Sequence, residues 1–96
     1  MKKFVLLHYG YETPTPEIMD AWGKWFASIA DKTADPGSPF GPAVEITRTG
    51  TRALTPDTGA ASGYTVINAA DMAEAVKIAE GCPIITSLVI YETMSM

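Results

Sequence analysis

The chain opens on Phe4-Val5-Leu6-Leu7-His8-Tyr9, apolar at consecutive positions instead of alternating. That pattern predicts a strand covered on both faces. Thr15-Pro16-Glu17 then starts a helix: Thr15 suits the N-cap, Pro16 the first helical position, and Glu17 the positive end of the helix dipole. Ile18, Trp22, Trp25, Phe26 and Ile29 recur at spacings of three and four, with Asp20, Lys24 and Asp31 on the opposite side, so an amphipathic helix is expected to about Asp31. Residues 33–43 are rich in Pro, Gly and small polar residues and read as a loop. Val44 to Arg48 reads as a half-exposed strand that turns at Thr49-Gly50 and returns through Arg52-Ala53-Leu54. A second loop covers 55–62.

The last third is the most explicit. Gly63 to Ala69 is a strand leading into Asp71 and Glu74, three apart as in a capping box. Met72, Ala75, Val76 and Ala79 form the expected buried stripe of a second helix, which stops at Gly81 before Cys82-Pro83. Leu88 to Glu92 is the final strand. The order strand-helix-strand-strand-helix-strand predicts an α+β, ferredoxin-like βαββαβ domain: a four-stranded antiparallel sheet with both helices on one face. The first and last strands are expected side by side at the sheet centre. The other sheet face then needs a cover, most simply the same face of a second copy, giving a homodimer.

Composition narrows the picture. With 96 residues, residues 1–96 form one domain near the small end of what folds alone. A net charge of −4 argues against nucleic acid and anionic membrane surfaces as partners. The apolar runs are too short to span a bilayer, and Lys2-Lys3 with a run broken at His8 lacks the length and cleavage site of a signal peptide. One cysteine, Cys82, precludes an internal disulfide and fits a reducing compartment, so a cytoplasmic protein is expected.

Several stretches together resemble the YCII-related group of the dimeric α/β-barrel superfamily. They are Lys3 to Tyr9, Pro16-Glu17-Ile18-Met19-Asp20-Ala21-Trp22, Gly63 to Ala69 leading to Glu74-Ala75, and Gly81-Cys82-Pro83. The resemblance implies a ferredoxin-like protomer and a barrel-like dimer with a pocket near the sheet. In that group the likeness to enzymes rests on a first-helix histidine partnered by an acidic residue. Here the helix carries Trp22 and Trp25 instead, and the only histidine is His8 on the first strand. The hydrolase-like or dehalogenase-like roles are therefore not carried over.

His8 is the candidate general acid or base, since its ordinary pKa lies near neutrality; a histidine hydrogen-bonded within the core is the plainer alternative. Asp20, Asp31 and Asp35 are possible acidic partners, or simply solvated surface acids. Trp22 and Trp25, with Tyr9, Tyr11 and Tyr64, are candidates for a pocket that binds a planar ligand, with Trp22 and Phe26 expected in the core and Trp25 at the rim. Cys82, after a helix C-terminus, reads as a structural thiol. No metal cluster, phosphate loop or nucleophile elbow is present, so no cofactor or metal is expected. Two functions remain: a small-molecule-binding dimer, which would be a cofactor-free enzyme if His8 is catalytic, or a non-catalytic regulatory or protein-interaction module that uses the loops at 33–43 and 55–62.

Overall fold

The computed structural model describes residues 1–94. The strands are β1 (Lys2–Tyr9), β2 (Thr33–Asp35), β3 (Ala43–Thr47), β4 (Gly50–Leu54), β5 (Gly63–Ala69) and β6 (Ser87–Glu92). The helices are α1 (Pro16–Ser28) and α2 (Met72–Glu80). Four strands make an antiparallel sheet in the order β2-β5-β1-β6, and β3 and β4 form a separate two-stranded ribbon.

Two sequence expectations are corrected here. The segment at 33–43 is not only loop: Thr33 to Asp35 is the sheet's fourth strand, and Pro39 bridges to Gly63 beyond it. So short a stretch carries no period of its own, and its extended form comes from pairing with the edge of β5. The expected strand at Val44 pairs only within its hairpin. Secondly, β6 lies beside β1 as expected but at the sheet edge; the central pair is β1 with β5.

Local signals explain both helices. Thr15 Oγ1 accepts from the Ile18 amide at 3.2 Å, and Asp71 Oδ1 accepts from the Glu74 amide at 2.9 Å. Glu74 reaches back to the Ala70 amide, which completes a variant of the capping box. α1 ends at Ser28, and the chain continues through a 3₁₀ turn over Ala30–Lys32. At Gly81 the cap is right-handed, φ −79°, so the stop there comes from Pro83 and not from a left-handed glycine.

Strand alternation sorts the side chains. Phe4 and Leu6 of β1 and Ile67 and Ala69 of β5 point to one face, where Trp25 and Ile29 of α1 and Ala75 and Ala79 of α2 pack on them. The small residues bring α2 close to the sheet, and Met72 and Val76, expected in its buried stripe, stand exposed instead. Among the described residues no helix packs on the opposite sheet face. Tyr64, Leu7 and Val89 form one row across β5, β1 and β6, and Val66, Val5 and Tyr91 form the next. The chain is accordingly flat, 42 × 41 × 18 Å, with a radius of gyration of 14.5 Å. A compact domain of this length would have about 12.5 Å.

Candidate functional site

β1 delivers His8 to the helix-covered face at the end of the core, in phase with Phe4 and Leu6. The imidazole lies nearly perpendicular to two indoles, with ring centroids 5.2 Å from Trp22 and 6.1 Å from Trp25. Its Nε2 lies 3.0 Å from Oγ1 of Thr65, which is 1% exposed. The Thr65 hydroxyl also lies 3.2 Å from the Pro36 carbonyl, which can only accept. The hydroxyl proton therefore goes to Pro36, and Nε2–H of His8 donates to Thr65. That leaves Nδ1 as the lone-pair nitrogen, and the Cys82 thiol lies 3.9 Å from it. A directed chain results, from Cys82 S–H to His8 to Thr65 to the Pro36 carbonyl.

Burial holds the His8 pKa below its ordinary 6.5, because the charged ring loses hydration. The unfolded chain takes up this proton near 6.5, the folded chain only at lower pH. Stability from His8 is thus complete above 6.5 and falls as pH drops through that window. Melting temperature followed from pH 7.5 to 5 should decline more steeply for the native chain than for His8→Gln, which keeps a donor to Thr65. Equal slopes would refute the buried neutral imidazole. Burial likewise pushes the Cys82 thiol up to about 12, so it carries no thiolate at neutral pH.

Beside His8, a cavity of about 560 Å³ opens between α1, the ends of β1 and β5, and the segment 36–39. Trp22, Phe26, Met19 and Ile18 supply its apolar helix side. Gly23, in the middle of α1, also faces it, and a Cβ added there would meet nothing within 4 Å. Glycine inside a helix costs about 1 kcal/mol against alanine. At this position it keeps space open.

Of the residues expected at a ligand site, His8, Tyr11, Trp22 and Tyr64 border this cavity. Trp25 does not: it is 4% exposed, deep in the core, and its indole N–H donates to the Ile78 carbonyl at 3.1 Å. The expected split of the aromatics is thus reversed, with Trp25 in the core and Trp22 and Phe26 only partly buried. Tyr9 follows His8 on β1, so strand alternation turns it to the other sheet face, and it does not border the cavity. Tyr64 stacks on Phe40, and its phenol donates to Asp35, which raises its pKa. Asp35 also accepts from the Gly37 amide, so this acid shapes a turn. Asp20 is paired with Lys24 in solvent, and Asp31 is exposed. None of the three acids contacts His8.

Thr65 and the wall at 36–39 escaped the sequence reading. Thr65 had a signal: it is the one hydroxyl in phase with Gly63, Ile67 and Ala69, where a buried polar group demands a partner. Of the loops at 33–43 and 55–62, Pro36 to Pro39 and Ser62 border the cavity. Among the described residues no cluster of His, Cys, Asp or Glu could hold a metal ion, and no helix is long and apolar enough to cross a membrane. Compared with protein-family models, curated proteins and solved structures, the chain matches none.

Proposed function

We propose that this chain is a ferredoxin-like, YCII-like protomer that pairs into a homodimer and binds a small molecule in the cavity beside His8. The observation that carries the reading is the cavity itself. Its volume of about 560 Å³ falls in the range of small-molecule sites, and it joins apolar walls to a few convergent polar groups. Binding is better supported than turnover. Both ring nitrogens of His8 are engaged within the protein, and neither the Cys82 thiol nor any acid is poised to act with it.

Gly23→Leu tests the reading without damaging the fold, since the added side chain enters open space and leucine is the better helix former. A metabolite panel screened by thermal shift should give a ligand for the native chain. At 100 times its dissociation constant such a ligand adds about 2.7 kcal/mol, roughly 10 °C for a domain this small. The shift should vanish in Gly23→Leu while that variant melts no lower than the native chain. A ligand that shifts both equally would place binding elsewhere.

The dimer reading rests on the strand order β2-β5-β1-β6 with both helices on one side, and on the two apolar rows left open on the other. Two copies joined through these rows would bury them. Val89 and Tyr91 belong to the edge strand β6 and are exposed in the single chain, so lysines there should cost the protomer little. The double variant Val89→Lys, Tyr91→Lys should run as a folded monomer in light scattering, with unchanged circular dichroism. A variant that stays dimeric would move the interface off this face.

A further inference from the structure

The charges and hydrogen bonds around the cavity narrow its ligand, resting on the binding role proposed above. None of the seven lysines and arginines borders it. Among the described residues its only ionisable charge is the Glu12 carboxylate, and burial lowers the His8 pKa, which favours the neutral ring. A carboxylate or phosphate entering here would lose its hydration and meet no cation, which is strongly unfavourable.

At the His8 end the donors are already used. The Ser62 hydroxyl donates to the His8 carbonyl at 3.0 Å, the Thr65 hydroxyl to the Pro36 carbonyl, and the His8 N–H to Thr65. These three donors are committed inward; Thr65 is buried and already accepts from His8, so the Ser62 oxygen and the Glu12 carboxylate are the acceptors that face the cavity. Trp22 and Phe26 give the remainder of the wall an aromatic surface suited to a flat ring. We infer that the cavity takes an uncharged aromatic molecule bearing a hydrogen-bond donor, a phenol in the simplest case, and rejects aromatic acids.

Three probes of one shape separate the elements of this inference: 2-naphthol, 2-methoxynaphthalene and 2-naphthoate, titrated by quenching of tryptophan fluorescence. The naphthol should bind roughly 5-fold tighter than the methoxy compound, which lacks the donor. It should bind at least about 100-fold tighter than the naphthoate, which carries an unpaired charge. Methoxynaphthalene binding as tightly as naphthol would overturn the donor requirement, and naphthoate matching naphthol would overturn the exclusion of acids. Ser38→Lys adds a cation at an exposed position bordering the cavity. It should raise naphthoate affinity about 3-fold, as expected of an exposed ion pair; unchanged affinity would refute the electrostatic basis. If no probe binds the native chain, the ligand class fails; if all bind Gly23→Leu equally well, the binding role itself fails. A bound acid with naphthol excluded would leave that role standing and sink only the ligand class.

Discussion

Trp25→Ala is expected to cost about 3–5 kcal/mol, the usual range for emptying a buried tryptophan site. A domain of this length has only roughly 5–14 kcal/mol in total, so the variant should melt at least 15 °C lower and populate unfolded chain near physiological temperature. The reason lies in what the indole joins. Trp25 packs in the cluster with Phe4, Leu6, Ile67 and Cys82, and its N–H satisfies the Ile78 carbonyl in the last turn of α2. One side chain thus ties α1, the sheet and the end of α2 together. Trp25→Phe keeps most of the packing but leaves that carbonyl without its donor, a loss of about 1–3 kcal/mol. Trp22→Ala is the informative comparison. It removes a cavity wall from a partly buried position, so its melting temperature should fall much less while probe binding weakens. Thermal melts of the three variants by circular dichroism decide the matter. Equal losses for Trp22→Ala and Trp25→Ala would refute the division of labour between the two indoles.

That division was only half legible in the sequence. The spacing of Ile18, Trp22, Trp25, Phe26 and Ile29 defines an apolar stripe, and the helix forms where the stripe lies. The stripe alone does not say which member sits deepest: Trp25 and Phe26 stand at its two edges, roughly 100° apart, with Ile18, Ile29 and Trp22 between them. The edge that carries Trp25 meets the core, and the edge that carries Phe26 meets the cavity. In the same way β1, β5 and α2 were readable because runs, caps and stops are local signals. β2 was not, since Thr33-Ala34-Asp35 becomes a strand only through the edge of β5, which is distant in sequence. His8 stood out by its chemistry, yet its role depends on Thr65, 57 positions away, and on Cys82, 74 away. The cavity is harder still to read in advance, because it is an absence of side chains between elements. Only Gly23, a helix-breaking residue inside a helix, hints at it.

Gly37→Ala should produce the second large effect, and a local one. Gly37 has φ of +75°, a conformation costly for an L-residue, and a Cβ built there would lie 1.7 Å from the Tyr64 carbonyl oxygen. Backbone on both sides leaves no flexible side chain to yield. The segment 36–39 must therefore move off β5, losing the Ser38 and Pro36 carbonyls as partners of the Tyr64 amide and the Thr65 hydroxyl. The expected loss is about 3 kcal/mol. Gly41 supplies the control, as it has neither a positive φ nor any atom within 4 Å of an added Cβ, so Gly41→Ala should be nearly neutral. Hydrogen exchange should show the Tyr64 and Phe40 amides, which bond across this seam, losing protection in Gly37→Ala while those of β1 keep theirs. The cavity wall would go with the seam, so naphthol affinity should fall in the same variant. If Gly37→Ala melts and binds like Gly41→Ala, the close approach of this segment to β5 is wrong. With it would fall the Pro36 carbonyl that fixes the Thr65 proton and, through it, the tautomer of His8.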